Sequence, residues 1–157
     1  METSPRTAPA PSATDTDDNG SAGIWRAVVV VGLLGVALIH LLDLQGKFEE
    51  TPYLGWAYLG VIAASVALAR LVAVTRDPRA VLGAGALAAS VMVGYTINRT
   101  VGMPGAMDDI GNWAEPLGLA SLFVEAAVVW AGVEAARVLR VAPALAPHRS
   151  RRLVPTS

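Results

Sequence analysis

An all-α fold, a four-helix transmembrane bundle running up and down, is what this sequence predicts, on three observations. Four apolar stretches, at about 24–44, 53–74, 80–97 and 115–139, take up most of the 157 residues. Each has the roughly 18 to 25 residues that a helix rising 1.5 Å per residue needs to cross hydrocarbon about 30 Å thick. Charged residues make up only 16% of the chain and collect mainly between and beyond those stretches, whereas a soluble domain carries roughly a quarter. Backbone in lipid has no water to satisfy it, so segments of this length are expected to be helices.

Residues 1–23, METSPRTAPAPSATDTDDNGSAG, have almost nothing to bury. They read as a disordered acidic tail, because burial cannot offset the entropy of ordering them. A cleaved signal peptide fits poorly, since the first apolar run follows an acidic segment, is flanked by the single Arg26 and is too long for an h-region. Residues 24–140 form the transmembrane domain and 141–157 a basic cytoplasmic tail. The first connection, 45–52, sets Lys47 against Glu49 and Glu50; the third, 98–114, sets Arg99 against Asp108 and Asp109. By contrast Arg70, Arg76 and Arg79 flank the second connection, and Arg137, Arg140, Arg149, Arg151 and Arg152 follow the fourth helix. Positive residues mark the cytoplasmic side, so both termini are expected there, in the plasma membrane, with connections one and three outside.

The aromatic residues fit that layout, with Trp25 at the inner edge and Tyr53, Trp56, Tyr95 and Trp113 near the outer edge. Trp130 lies well inside helix four and is expected to pack against a neighbour or lipid. Helix three carries Gly83, Gly85, Ala86, Ala89, Ser90 and Gly94, spacings that let helices approach closely and suggest the most enclosed helix. Helix four opens on Asn112-Trp-Ala-Glu115-Pro116. Asn112 is the expected cap, Glu115 its box partner and Pro116 a residue that needs no donor there.

Polar groups at membrane depth are where function concentrates. Glu125 lies about ten residues into helix four, roughly 15 Å down. It either carries a proton or pairs with a cation or hydroxyl, and serves as a proton or cation site or as interhelical glue. His40 and Asp43 stand three apart on one face near the outer end of helix one, where an imidazole can donate to the carboxylate or both can approach one ion. A zinc site needs a third protein ligand, for which Glu49, Glu50, Asp108 and Asp109 are the candidates. His148 lies in the predicted cytoplasmic tail, so a bis-histidine haem is not expected. With no cysteine in the chain, disulfides, thiolate metal sites and thiol catalysis are excluded.

The densest stretch runs Gly94-Tyr-Thr-Ile-Asn-Arg-Thr-Val-Gly-Met-Pro-Gly105 and leads to Asp108 and Asp109. Its glycines and proline specify a turning backbone, and Asn98, Arg99 and Thr100 supply donors. Arg99 is expected to pair with Asp43, Glu115, Asp108 or Asp109. The result is either a clasp, involving Tyr95, Asn98, Thr100, Gly102, Pro104, Gly105, Asp108, Asp109 and Glu115, or an anion subsite with the start of helix four. Gly94-Tyr95, Asn98-Arg99-Thr100, Gly102, Pro104-Gly105, Glu115-Pro116-Leu117-Gly118, Ser121 and Glu125 together resemble a group of small four-helix membrane proteins common in actinobacteria. The resemblance is strongest over 94–125, with weaker echoes at His40 and at 53–56. Asn98 stands where that group has serine and Met103 where it has leucine. The likeness implies a shared fold and a shared outer-face constellation, and no reaction.

Three functions follow. One is an accessory protein that binds a small ligand, an ion or a partner membrane protein, or that assembles with itself, through His40, Asp43, Arg99 and Glu125. Another is a proton- or cation-coupled transporter or channel subunit using Glu125 and His40 as relay groups, although neither an inverted repeat nor a broken helix pair is visible. An enzyme with His40 as base is disfavoured by the lack of a nucleophile motif. Acidic and basic totals of 13 and 12 leave no basic field for nucleic acid.

Overall fold

The computed structural model describes residues 13–141. Four helices, α1 (Ala13–Glu50), α2 (Pro52–Val74), α3 (Pro78–Thr100) and α4 (Pro116–Val141), account for nearly all of them, with one 3-10 turn at Met107–Asp109. All four are long and apolar enough to cross a membrane. Each helix packs on its chain neighbours, and α1 also packs on α4, so the bundle closes into a ring. The α2–α3 edge is the loosest of the four. This is the up-and-down bundle that short connections impose.

The ends of the elements differ from the sequence reading in three places. Residues 13–23, expected to be disordered, are the first turns of α1. Once a helix is nucleated, each further residue adds a hydrogen bond at little extra cost, so the apolar span carries the turns before it. Residues 1–12 and the predicted basic tail from 142 onward, with His148, lie outside the described residues. The first connection shrinks from eight expected residues to Thr51 alone, because α1 continues to Glu50. Thr51 N–H bonds Lys47 O at 2.9 Å, and Pro52 starts α2 where no donor is needed. Finally, Glu115 rather than Asn112 caps α4. Its carboxylate accepts from Leu117 N at 3.0 Å and Gly118 N at 2.7 Å, and a negative group there also faces the positive end of the helix dipole.

At the α2–α3 end the bundle is dry. Val29 and Leu33 of α1, Val72 of α2, Val81, Ala84 and Ala88 of α3, and Val128, Ala131 and Ala135 of α4 form one buried cluster. Arg26 completes this end by donating to Val72 O at 2.7 Å and Ala73 O at 3.1 Å, the free carbonyls at the end of α2. Asp77 caps α3 through Arg79 N at 2.8 Å. α4, not α3, is the most enclosed helix, with 33% of its most apolar window buried against 22%. Several of α3's small residues are spent outside the interface: nothing lies within 4 Å of a Cβ placed on Gly94. Trp130 packs against a neighbour, tilting against Trp25 at 5.9 Å, and is 64% exposed.

Candidate functional site

Opposite the dry end, the four helices part around a cavity of about 470 Å³. α1 turns His40, Asp43 and Lys47 toward it, which is the face generated by steps of three and four residues. α2 supplies Leu54, Ala57, Tyr58 and Val61; α3 supplies Val91, Tyr95, Asn98 and Arg99; α4 supplies Gly118 and Ser121. Met103, Asp109, Asn112 and Glu115 of the α3–α4 connection reach the same space. Its lower wall is thus apolar and its rim charged.

Arg99 organises that rim. It is 6% exposed, and its Nη1 meets Asp109 Oδ1 at 2.5 Å and Asp109 O at 3.2 Å, with Nη2 3.5 Å from Glu115 Oε2. Asn98 Nδ2 donates to Asp109 Oδ2 at 2.8 Å, and Lys47 Nζ stands 3.7 Å from the same oxygen. Tyr95 lies under the guanidinium, 5.0 Å from ring centroid to Cζ, and packs edge-on against Trp113 at 6.0 Å. Burial alone would raise the Asp109 carboxyl, but hydrogen bonds from Asn98 and Arg99 and the charges of Lys47 and Arg99 outweigh it. The carboxyl is held below its ordinary 3.8.

The connection is tied down twice more. Thr51 Oγ1 donates to Gly105 O at 3.2 Å and Tyr53 Oη to Pro104 O at 2.8 Å. Gly102 has φ +82°, which a residue with a Cβ rarely adopts, and a Cβ there would sit 2.8 Å from Met107 Sδ. Two of the expected clasp residues stand apart. Thr100 bonds back into its own helix at Thr96 O, 2.7 Å away, because a threonine in a last turn finds the preceding carbonyl before any loop. Asp108 is exposed, and the ion pairs run through Asp109 and Glu115. Tyr95, expected near the outer edge, also forms a wall of the cavity.

His40 is 5% exposed. Its Nδ1 is 2.9 Å from Val36 O. A carbonyl can only accept, so Nδ1 carries a proton, and in the neutral ring Nε2 keeps the lone pair. The ring stands edge-on to Tyr58 at 4.7 Å, and Tyr58 lies within hydrogen-bonding reach of Asp43. Glu125 lies one turn past Ser121 on α4. It is fully buried and does not line the cavity, but Ser121 Oγ, which does, donates to Glu125 Oε1 at 2.6 Å. Glu125 Oε2, Ser65 Oγ, Asn98 Oδ1 and Arg99 Nε are buried without a protein partner.

The structure therefore brings His40, Asp43 and Arg99 to one space and leaves Glu125 behind its wall. Glu49, Glu50, Asp108 and Asp109 do not complete a metal set with His40 and Asp43: among the described residues no three His, Asp or Glu side chains converge on a point. Sequence reasoning did not place Lys47 or Tyr58 at the site, and named Ser121 only within the resemblance. Lys47 and Ser121 had a signal, since they stand four residues from Asp43 and from Glu125 on the same helical faces. Tyr58 had none, as it joins Asp43 only through the packing of α2 on α1.

Four apolar spanning helices around a polar pocket define a small multi-pass integral membrane protein. No protein-family model, curated protein or solved structure matches the chain.

Proposed function

We propose that this is an accessory membrane protein that binds a small ligand in the cavity, from the outer face. The observation that carries the reading is the division of the bundle into a cavity rimmed by His40, Asp43 and Arg99 and a dry half closed by Val29, Leu33, Val72, Val81 and Val128. A pocket of about 470 Å³ is in the range of small-molecule sites, and a closed far end suits capture better than passage. The distribution of positive residues supports the orientation. Arg70, Arg76, Arg79, Arg137 and Arg140 gather at the dry end, against Lys47 and Arg99 at the cavity end, a bias that supports cytoplasmic termini. We extend the proposal to the resemblance with actinobacterial four-helix proteins, because Tyr95, Asn98, Arg99, Gly118 and Ser121, which carry it, all touch the cavity or its rim.

The cysteine-free chain permits a direct test. Val91→Cys, in the cavity wall, is expected to react with a membrane-impermeant maleimide applied to intact cells, while Val72→Cys and Ala84→Cys in the dry half stay unlabelled. Labelling of Val91→Cys only after permeabilisation would reverse the orientation. No labelling under either condition would remove the open cavity and the proposal with it.

One observation favours the second reading, a proton- or cation-coupled transporter or channel subunit. Glu125 has a free buried oxygen and reaches the cavity wall through Ser121. Pyranine-loaded vesicles containing the protein would acidify under an imposed proton gradient if that reading held.

A further inference from the structure

The rim of the cavity is unevenly charged. Asp43, Glu50, Asp109 and Glu115 set four carboxylates against Lys47 and Arg99. Both cations are already engaged, Arg99 with Asp109 and Glu115, and Lys47 with Glu50 at 2.9 Å and with Asp109. Asp43 belongs to none of the ion pairs among the described residues; the charge of Lys47, which is spent on Glu50 and Asp109, and the Tyr58 hydroxyl are what act on it. The rim thus carries surplus negative charge, and the carboxylate without a paired cation is the one on α1.

A second, independent feature stands three residues away on the same face. His40 is buried, lines the cavity, and spends its single N–H on Val36 O. In the neutral ring Nε2 can then only accept, and a donor standing in the cavity that His40 lines would meet it. Asp43 calls for a cation and His40 for an N–H. One chemical group supplies both. Leu54, Ala57, Val61 and Val91 offer that group's remainder an apolar wall.

We propose that the cavity takes a protonated primary or secondary amine with an apolar body, its N–H groups donating to Asp43 and His40 Nε2. This rests on the reading of the cavity as a ligand site and names the class of ligand. A quaternary ammonium has no N–H to give His40. A carboxylate meets surplus negative charge at the rim.

The test uses three probes with closely matched phenyl-alkyl bodies and the full-length protein in maltoside micelles, followed by saturation-transfer NMR and calorimetry against empty micelles. They are phenethylammonium, its N,N,N-trimethyl analogue and 3-phenylpropanoate. Phenethylammonium is expected to bind best, and Asp43→Asn to weaken it about tenfold or more, the loss that follows from removing a charged hydrogen-bond partner. His40→Phe is expected to narrow the gap between the primary and the quaternary amine. Equal binding of the trimethyl analogue to the wild-type protein would overturn the N–H recognition. Preference for the carboxylate would move the ligand to Arg99 and overturn the amine assignment while leaving a ligand site. If none of the three binds and Val91→Cys is still labelled from outside, the amine inference fails alone; if Val91→Cys is also unlabelled, the ligand-site reading fails with it.

Discussion

Arg99 does at residue scale what a longer loop would otherwise need a core to do. Its guanidinium holds Asp109 by two contacts and Glu115 by a third, so the start of α4 and the preceding turn are fixed to the end of α3. Truncating it would leave Asp109, at 18% exposure, with Asn98 and a distant Lys47. Removing one partner of such a pair leaves an uncompensated charge, and Arg99→Ala is expected to lower stability by about 3 kcal/mol. Thermal unfolding in detergent, with proteolysis of the 101–115 segment, would measure it. Unchanged melting and unchanged cleavage would exclude the clasp. The same pair sets a pH dependence. Because the folded Asp109 carboxyl sits below its unfolded value, its contribution is complete above that value of 3.8 and is lost as the pH falls through the folded one. The acid limb of stability should therefore flatten in Asp109→Asn, while the difference between the two proteins stays constant from pH 6 to 8.

At the scale of the elements, the α3–α4 contact depends on one missing side chain. A Cβ on Gly132 would stand 2.8 Å from Val81 O, a backbone atom that cannot rotate away, whereas one on Gly85 would meet Val129 Cα at an ordinary 3.8 Å. Gly132→Ala is expected to push the helices apart at a cost of about 1–3 kcal/mol, and Gly85→Ala to be neutral. Comparison of their melting temperatures decides it, and equal behaviour would mean that the helices slide to accommodate the methyl. This pair also shows where sequence reading stops. Hydrophobic length located all four spans, because the bilayer imposes it on each helix separately. The polar face of His40 and Asp43 was legible from their spacing, and Arg99 from being the one arginine in the predicted outer connections. Which small residues of α3 and α4 touch was not legible, since Gly83, Gly85 and Gly94 look alike in sequence and differ only in what stands opposite. Helix ends were lost for a similar reason. Glu115 and Asn112 are both plausible caps, and the choice follows from Arg99 pulling Glu115 toward the end of α3.

For the whole molecule, Glu125 lies between the cavity half and the dry half, and its neighbours limit what it can be. Its bonded partner is the Ser121 hydroxyl, and none of the ion pairs among the described residues reaches it. A bare charge with a single hydroxyl for company is costly at such depth, so a neutral side chain of the same shape should serve the fold. Gln keeps a carbonyl oxygen for Ser121 and carries no charge where Oε2 has no protein partner. Glu125→Gln is therefore expected to melt within about 1 kcal/mol of the parent, while Glu125→Ala, which leaves a void beside Val128 and Ser121, should lose about 2–4 kcal/mol. If the carboxyl is packing glue, phenethylammonium binding should survive Glu125→Gln, because the cavity wall at that depth is Ser121 and not the glutamate. Loss of binding or of vesicle proton flux in a Glu125→Gln protein that melts normally would mean that the titratable proton is used, and would move the protein from the accessory class to the coupled transporter. Retention of both the fold and the bound amine would leave the ligand chemistry at Asp43 and His40, on the cavity side of the wall that Ser121 forms.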